Sequence, residues 1–321
     1  MTTRQLKLVH GHTIAELEHL LYNSCDLFDK DVTLEHEALG GWSNINIQGR
    51  SDDIDFVLKL PWAISSGETN PYLHLNDISL FFNKLGIAAR PLSMGRLSTT
   101  KETPFIIFEY VHGVIHDSLS DLSTREILSL KECLQVLSRQ KPPGLKKYKS
   151  QSDYLLATRA LVENHVGFST CSQDVTELIE TFDDVYPKVL SFTDSAGDWS
   201  PSLMHGDLWI PNIVFQSGNV VLLDFEACAY GNHLYDLAYL LETPVSTTDN
   251  LPPGLSLPEE MEEVNSLKPL VLAFLVEWSI ERLLSMESGL VEPNLATAES
   301  KTAIIEYVRS KTSRLKTIFL S

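Results

Sequence analysis

Apolar residues alternate with polar ones in short runs through the first third of the chain, and a helical period takes over beyond it. Residues 13 to about 29 place Ile14, Leu17, Leu20 and Leu21 at helical spacing behind Thr13, a good N-cap, so the pattern predicts an opening amphipathic helix. Three strands are predicted at 34–39, 43–49 and 54–60, separated by Gly40-Gly41 and by Ser51-Asp52-Asp53, turn formers that suit an antiparallel meander ended by Pro61. A helix over 73–85 stopping at Gly86, then strands at 91–96 and 105–110, complete an α+β unit of five antiparallel strands with a helix. From His116 onward helical periodicity dominates, over 124–139, 152–166, 176–192, 261–286 and 296–320. The change of pattern near Gly113 divides an N-terminal region, 1–112, from a larger, mostly helical C-terminal region, 113–321. A β-rich run at 219–225 interrupts the helices, and 244–258, with four prolines, reads as a long surface loop.

Composition narrows the class. Hydrophobic residues are 43% and charged residues 21% of the 321, as in globular proteins. The 43 acidic and 25 basic residues leave a net charge of −18, which repels nucleic acid and anionic membranes and suits a cationic ligand. Cys25, Cys133, Cys171 and Cys228 lack paired spacing, so neither a disulfide framework nor a zinc site is expected. The N-terminus shows no apolar leader segment, and no run of about 18 apolar residues occurs, so the expected location is the cytoplasm.

The chemistry is concentrated in His205-Gly206-Asp207-Leu208-Trp209-Ile210-Pro211-Asn212, followed twelve residues after Asn212 by Asp224 in Leu222-Leu223-Asp224-Phe225-Glu226. Phosphoryl transfer needs a carboxylate to orient and deprotonate an acceptor hydroxyl, and oxygen ligands for the Mg²⁺ that neutralises a triphosphate. Asp207, Asn212 and Asp224 supply that set, with Asp preceding Asn by five positions as in H-R-D-x-x-x-x-N.

H-G-D in place of H-R-D, Asp-Phe-Glu in place of Asp-Phe-Gly, and the downstream Gly231-Asn232-His233-Leu234-Tyr235-Asp236-Leu237-Ala238 resemble the aminoglycoside phosphotransferase and choline kinase-like family. The resemblance implies a bilobal protein-kinase-like fold. It implies Asp207 as catalytic base, Asn212 and Asp224 as Mg²⁺ ligands, His205 as support of the loop and Asp236 as a buried acid bonded to it. ATP and Mg²⁺ are the implied cofactors. Gly40-Gly41-Trp42-Ser43-Asn44 lies where small residues and backbone N–H groups can approach phosphate, which makes Ser43 and Asn44 candidates. Lys59, in Phe56-Val57-Leu58-Lys59-Leu60, matches the lysine of V-A-I-K that reaches the α- and β-phosphates. Its acidic partner is open between Glu68 and Asp77. The segment ending Phe108-Glu109-Tyr110-Val111 resembles the adenine-contacting linker, through Glu109 and Val111.

For the acceptor, Glu277, Trp278 and Glu281 lie on one predicted helix, the last two on one face, and resemble the acid- and Trp-bearing substrate helix of choline kinase-like enzymes. Trp209 reads either as packing beneath the loop or as a sign of a sugar or alcohol acceptor. The expected function is transfer of the γ-phosphoryl group of ATP to a hydroxyl of a small acceptor, cationic or neutral: an amino alcohol, an aminoglycoside or a sugar derivative. The alternative is a non-catalytic nucleotide-binding regulatory protein on the same fold.

Overall fold

The computed structural model describes residues 4–6, 8–29, 31–39, 44–63, 70–98, 102–244, 250–293 and 295–320. In chain order the elements are β1 (Arg4–Gln5), α1 (Ile14–Ser24), β2 (Thr33–Ala38), β3 (Asn44–Ser51), β4 (Ile54–Pro61), α2 (Leu73–Asn83), β5 (Pro91–Arg96) and β6 (Pro104–Glu109). There follow α3 (Thr124–Ser138), α4 (Gln151–Glu163), α5 (Gln173–Asp183), α6 (Tyr186–Ser195), β7 (Ser202–Met204), β8 (Ile213–Gln216) and β9 (Asn219–Leu222). The chain ends through β10 (Ala229–Gly231), α7 (Tyr235–Glu242), α8 (Glu260–Glu287) and α9 (Ala298–Leu320). Two compact units result: Met1–Asp117 with Ile213–Glu226 and Leu290–Leu295, and Ser118–Asn212 with Ala227–Gly289 and Ala296–Ser321.

In the first unit the five expected strands form one antiparallel sheet, ordered β1-β2-β3-β4-β6-β5, with two-residue β1 added at the edge of β2. Thr13 and Glu16 make a reciprocal capping box that starts α1. Helix α2 buries Leu75, Ile78 and Phe82, and the chain leaves it through Gly86 at φ +75°, a left-handed position that glycine adopts without steric cost. The β8–β9 hairpin joins this unit: the Leu222 N–H donates to the Ile87 carbonyl at 2.9 Å, and Phe225 stacks on Phe82 with ring centres 4.7 Å apart. The 219–225 run marked one arm of this hairpin; β8, only four residues long, gave no periodic signal.

The second unit is helical apart from the antiparallel pair β7–β10. Helix α8 is its core, burying side chains around much of its circumference against α4, α7 and α9. The single helix expected over 176–192 is two, α5 and α6. Apolar positions 175, 178, 179, 182, 185 and 189 keep one helical phase through the break, so periodicity does not reveal it. Pro187 does: it cannot donate to the Asp183 carbonyl, and it sits in the first turn of α6, where no donor is needed. Among the described residues, no helix is long and apolar enough to cross a membrane.

Phe82 is fully buried beneath the Asp224-bearing turn. Phe82→Ala is expected to lower stability by about 3–5 kcal/mol, read as a reduced denaturant midpoint with an unchanged slope.

Candidate active site

Lys59 sits on β4 between β3 and β6, opposite Asn46 and Ile106, with fully buried Leu58 and Leu60 on either side. A buried ammonium is costly unless carboxylates meet it. Asp224 Oδ1 lies 2.8 Å from Lys59 Nζ, and Glu226 Oε1 lies 2.9 Å away. Burial pulls the lysine pKa down, but the two carboxylates outweigh it and hold Lys59 charged, above its ordinary value. The partner left open between Glu68 and Asp77 is thus the pair Asp224 and Glu226. Asp77 is exposed on α2, and Glu68 lies outside the described residues.

Asp224 adopts φ +64°, a left-handed conformation that Asp and Asn tolerate better than most residues. Asn44, at the start of β3, donates from Nδ2 to both oxygens of Glu226 at 3.1 and 3.2 Å and accepts from the buried Tyr72 hydroxyl at 2.8 Å. Ser43 and the glycine turn before it lie outside the described residues. At the end of β6, the Glu109 side chain is paired with Arg90 at 3.1 Å, while the Val111 N–H makes no hydrogen bond among the described residues.

In the second unit, β7 leads straight into His205-Gly206-Asp207. Asp236, buried near the start of α7, accepts from the backbone N–H groups of His205 at 2.8 Å and Gly206 at 2.9 Å. Gly206 has φ +84°, and a Cβ there would stand 2.3 Å from the Ala227 carbonyl oxygen, so only glycine fits. His205 is fully buried, and its Nδ1 accepts from the Asp207 N–H at 3.4 Å. Asn212 donates from Nδ2 to the Asp207 backbone carbonyl at 2.9 Å and to Asp207 Oδ2 at 3.1 Å. Both partners are pure acceptors, so the amide nitrogen must face them and the amide oxygen must face away. Oδ1 of Asp207 accepts from the Tyr239 hydroxyl at 2.8 Å.

The three acceptor candidates stand on α8 in different surroundings. Trp278 is half-buried with the Arg282 guanidinium 5.6 Å from its ring centre, and Glu281 accepts from Ser285 at 2.9 Å. Glu277 is almost wholly buried in the seam with α4. Thr158 Oγ1 lies 2.5 Å from Glu277 Oε2 and 2.8 Å from the Leu155 carbonyl oxygen. The hydroxyl has one proton and the carbonyl cannot donate, so satisfying both contacts requires a proton on Glu277. Burial pushes its carboxyl up to about 8, against the opposing effects of Thr158 and Arg159.

The sequence profile of the phosphotransferase enzyme family matches residues 36–255. The chain belongs to that family. Its fold is the protein-kinase-like one. It is similar to Plasmodium vivax ethanolamine kinase, with TM-score 0.61 and 16% identity over 88% of this chain and 81% of that one. It is similar to aminoglycoside 2'-phosphotransferase-IIIa in a GDP complex, with TM-score 0.58 and 17% identity over 94% and 99%. A thermostable mutant of aminoglycoside phosphotransferase APH(4)-Ia, solved with AMP-PNP and hygromycin B, gives TM-score 0.56 and 13% identity over 93% and 98%. No curated protein sequence matches the chain.

Three residues of this phosphotransferase escaped the sequence reading as site members. Glu226 was visible in Asp-Phe-Glu, and two acids spaced around one residue at a strand end were the available sign of a partner for Lys59. Tyr239 follows Asp236 by three, one helical turn along the same face of α7. Tyr72 offered no sign, because its role depends on meeting Asn44.

Gly206→Ala should destabilise the protein by about 1–3 kcal/mol, seen as a lower melting temperature, because the methyl group meets backbone. For Glu277 the folded state holds a proton more tightly than the unfolded chain, whose carboxyl has its ordinary value near 4.5. Its stabilising contribution is therefore complete below pH 4.5 and is lost as pH rises through about 8. Melting temperatures measured from pH 5 to 9 should fall less steeply in Glu277→Gln than in the parent.

Proposed function

We propose that this phosphotransferase is an ATP- and Mg²⁺-dependent kinase of a small hydroxyl-bearing acceptor, acting in the cytoplasm. The observation that carries the reading is the 2.8 Å contact between Lys59 and Asp224, separated by 165 positions in the chain. A strand lysine and a carboxylate named independently for phosphate and metal meet in one ion pair.

In this reading Lys59 holds the α- and β-phosphates, Asn44 and Ser43 line the phosphate turn, and Glu109 and Val111 receive adenine through their backbone. The Val111 N–H, which makes no hydrogen bond among the described residues, suits that role. Asp224 and Asn212 are the magnesium ligands. Their chemistry fits a hard cation: Asp224 keeps Oδ2 beyond the oxygen bound to Lys59, and the Asn212 amide oxygen faces away from Asp207. Bound magnesium would neutralise triphosphate charge. Asp207 accepts the acceptor hydroxyl's proton as the hydroxyl oxygen attacks the γ-phosphorus and the bond from that phosphorus to the bridging oxygen breaks, releasing ADP, while His205 and Asp236 hold the loop that presents Asp207. The acceptor we favour is a cationic alcohol such as an amino alcohol or aminoglycoside, on the strength of the −18 charge and the half-buried Trp278 and Glu281 in the Asp207 unit. Glu281 and Trp278 are half-buried, whereas Glu277 is enclosed.

Calorimetric titration with ATP should show binding strengthened by Mg²⁺ in the parent, and Asp224→Ala should lose that dependence. Asp207→Asn should bind nucleotide normally while ADP release with alcohol and amino-alcohol acceptors falls by about 10²–10⁴-fold. Absence of ATP and GTP binding, with or without Mg²⁺, would overturn the kinase reading. Binding without turnover on any acceptor would favour the regulatory alternative.

A further inference from the structure

The Asp207 carboxylate is gripped at both oxygens. Asn212 Nδ2 reaches Oδ2 at 3.1 Å and the Tyr239 hydroxyl reaches Oδ1 at 2.8 Å. A carboxylate torsion is broad and two-fold, so a single donor leaves the group free to swing about it, and a second donor on the other oxygen arrests it. Asn212 cannot do this alone, since its amide nitrogen is shared with the Asp207 backbone carbonyl.

Tyr239 is built to stay put. Its ring is buried, 5.8 Å from the Tyr235 ring and 6.0 Å from Phe274. Three positions earlier on the same helix, Asp236 holds the amides of His205 and Gly206. One face of α7 thus fixes the backbone of the loop through residue 236 and its side chain through residue 239. The far end of α7 is secured in turn by α9. Arg314 pairs with the buried Glu242 carboxylate at 2.5 and 2.8 Å, Lys311 donates to the Glu242 and Pro244 carbonyls, and the Tyr307 hydroxyl donates to the Thr243 carbonyl at 2.8 Å.

We propose that Tyr239 is a positioning residue for Asp207, fixing which carboxylate lone pair faces the acceptor hydroxyl. The inference rests on the reading of Asp207 as base. Tyr239 acts as donor and not as an acid: burial, followed by the charge of Asp207, holds its phenol well above the ordinary tyrosine value of 10.

Two measurements test this. Slow hydrolysis of Mg·ATP, with water as acceptor, is measured in the parent, Tyr239→Phe, Asp207→Asn and the double variant. Tyr239→Phe should lower kcat about tenfold while the KM for Mg·ATP changes less than about twofold, and it should have no further effect once Asp207 is Asn. A rise in KM, or an undiminished loss in the Asp207→Asn background, would assign Tyr239 a purely structural role and overturn the proposal. Separately, fluorotyrosine placed at 239 is followed by fluorine NMR, which requires no turnover. Its line should shift on Asp207→Asn; an unmoved line overturns the contact itself. If Asp207→Asn leaves hydrolysis at the parental rate, the base assignment fails, and the fluorine line still reports whether Tyr239 holds the carboxylate.

Discussion

A positive charge placed in the middle of a sheet organises the first unit. Lys59 lies on a strand with neighbours on both sides, and its ammonium has almost no water to meet. Such a group is tolerated only when carboxylates are brought to it. The chain satisfies it with Asp224 and Glu226, which enter from a hairpin far downstream in sequence. The hairpin is tied by the Leu222 amide and the Phe225–Phe82 stack, and Glu226 in turn holds Asn44, which Tyr72 fixes from the N-cap position of α2. The ion pair therefore links two sheet strands, the start of a helix and the hairpin in one network.

The second unit solves a different problem, that of holding a tight loop still. Gly206 makes a turn closed to other residues, and the amides freed by that turn need acceptors. Asp236 supplies both oxygens, and its position on a helix buried along most of its length leaves it little freedom. Asp207, the next residue, inherits the rigidity of the loop and adds side-chain contacts from Asn212 and Tyr239. Preorganisation of this kind suits the general-base role proposed for Asp207, because the direction of a base's lone pair decides whether it can take a proton in flight. Asn232 shapes the turn that leads into α7: its Oδ1 accepts from the Leu234 amide at 3.0 Å and its Nδ2 donates to Glu263 at 2.5 Å.

Much of this was legible in advance, for identifiable reasons. The five strands, α1 and the long helices of the second unit follow from apolar period and capping residues, because those signals are local. The break between α5 and α6 was hidden by unbroken periodicity, although Pro187 marked it. The hairpin strand β8 and helix α7 are short, and their residues are buried on nearly every side, so no polar face betrays their period. Asp207, Asn212, Asp224 and Lys59 stood out because phosphoryl transfer constrains spacing along the chain as well as position in space.

The sequence by itself determined the α+β class, the family and the identity of the groups with chemical capacity, since each depends on local pattern or on motif order. Tertiary structure alone decided their partners. That Lys59 would meet Asp224 and Glu226 and neither Glu68 nor Asp77, that Glu277 would be enclosed beside Thr158 while Trp278 and Glu281 stay half-open, and that a tyrosine would grip Asp207 are outcomes of packing. Burial and hydrogen-bond direction act between residues distant in the chain, and no spacing along it records them.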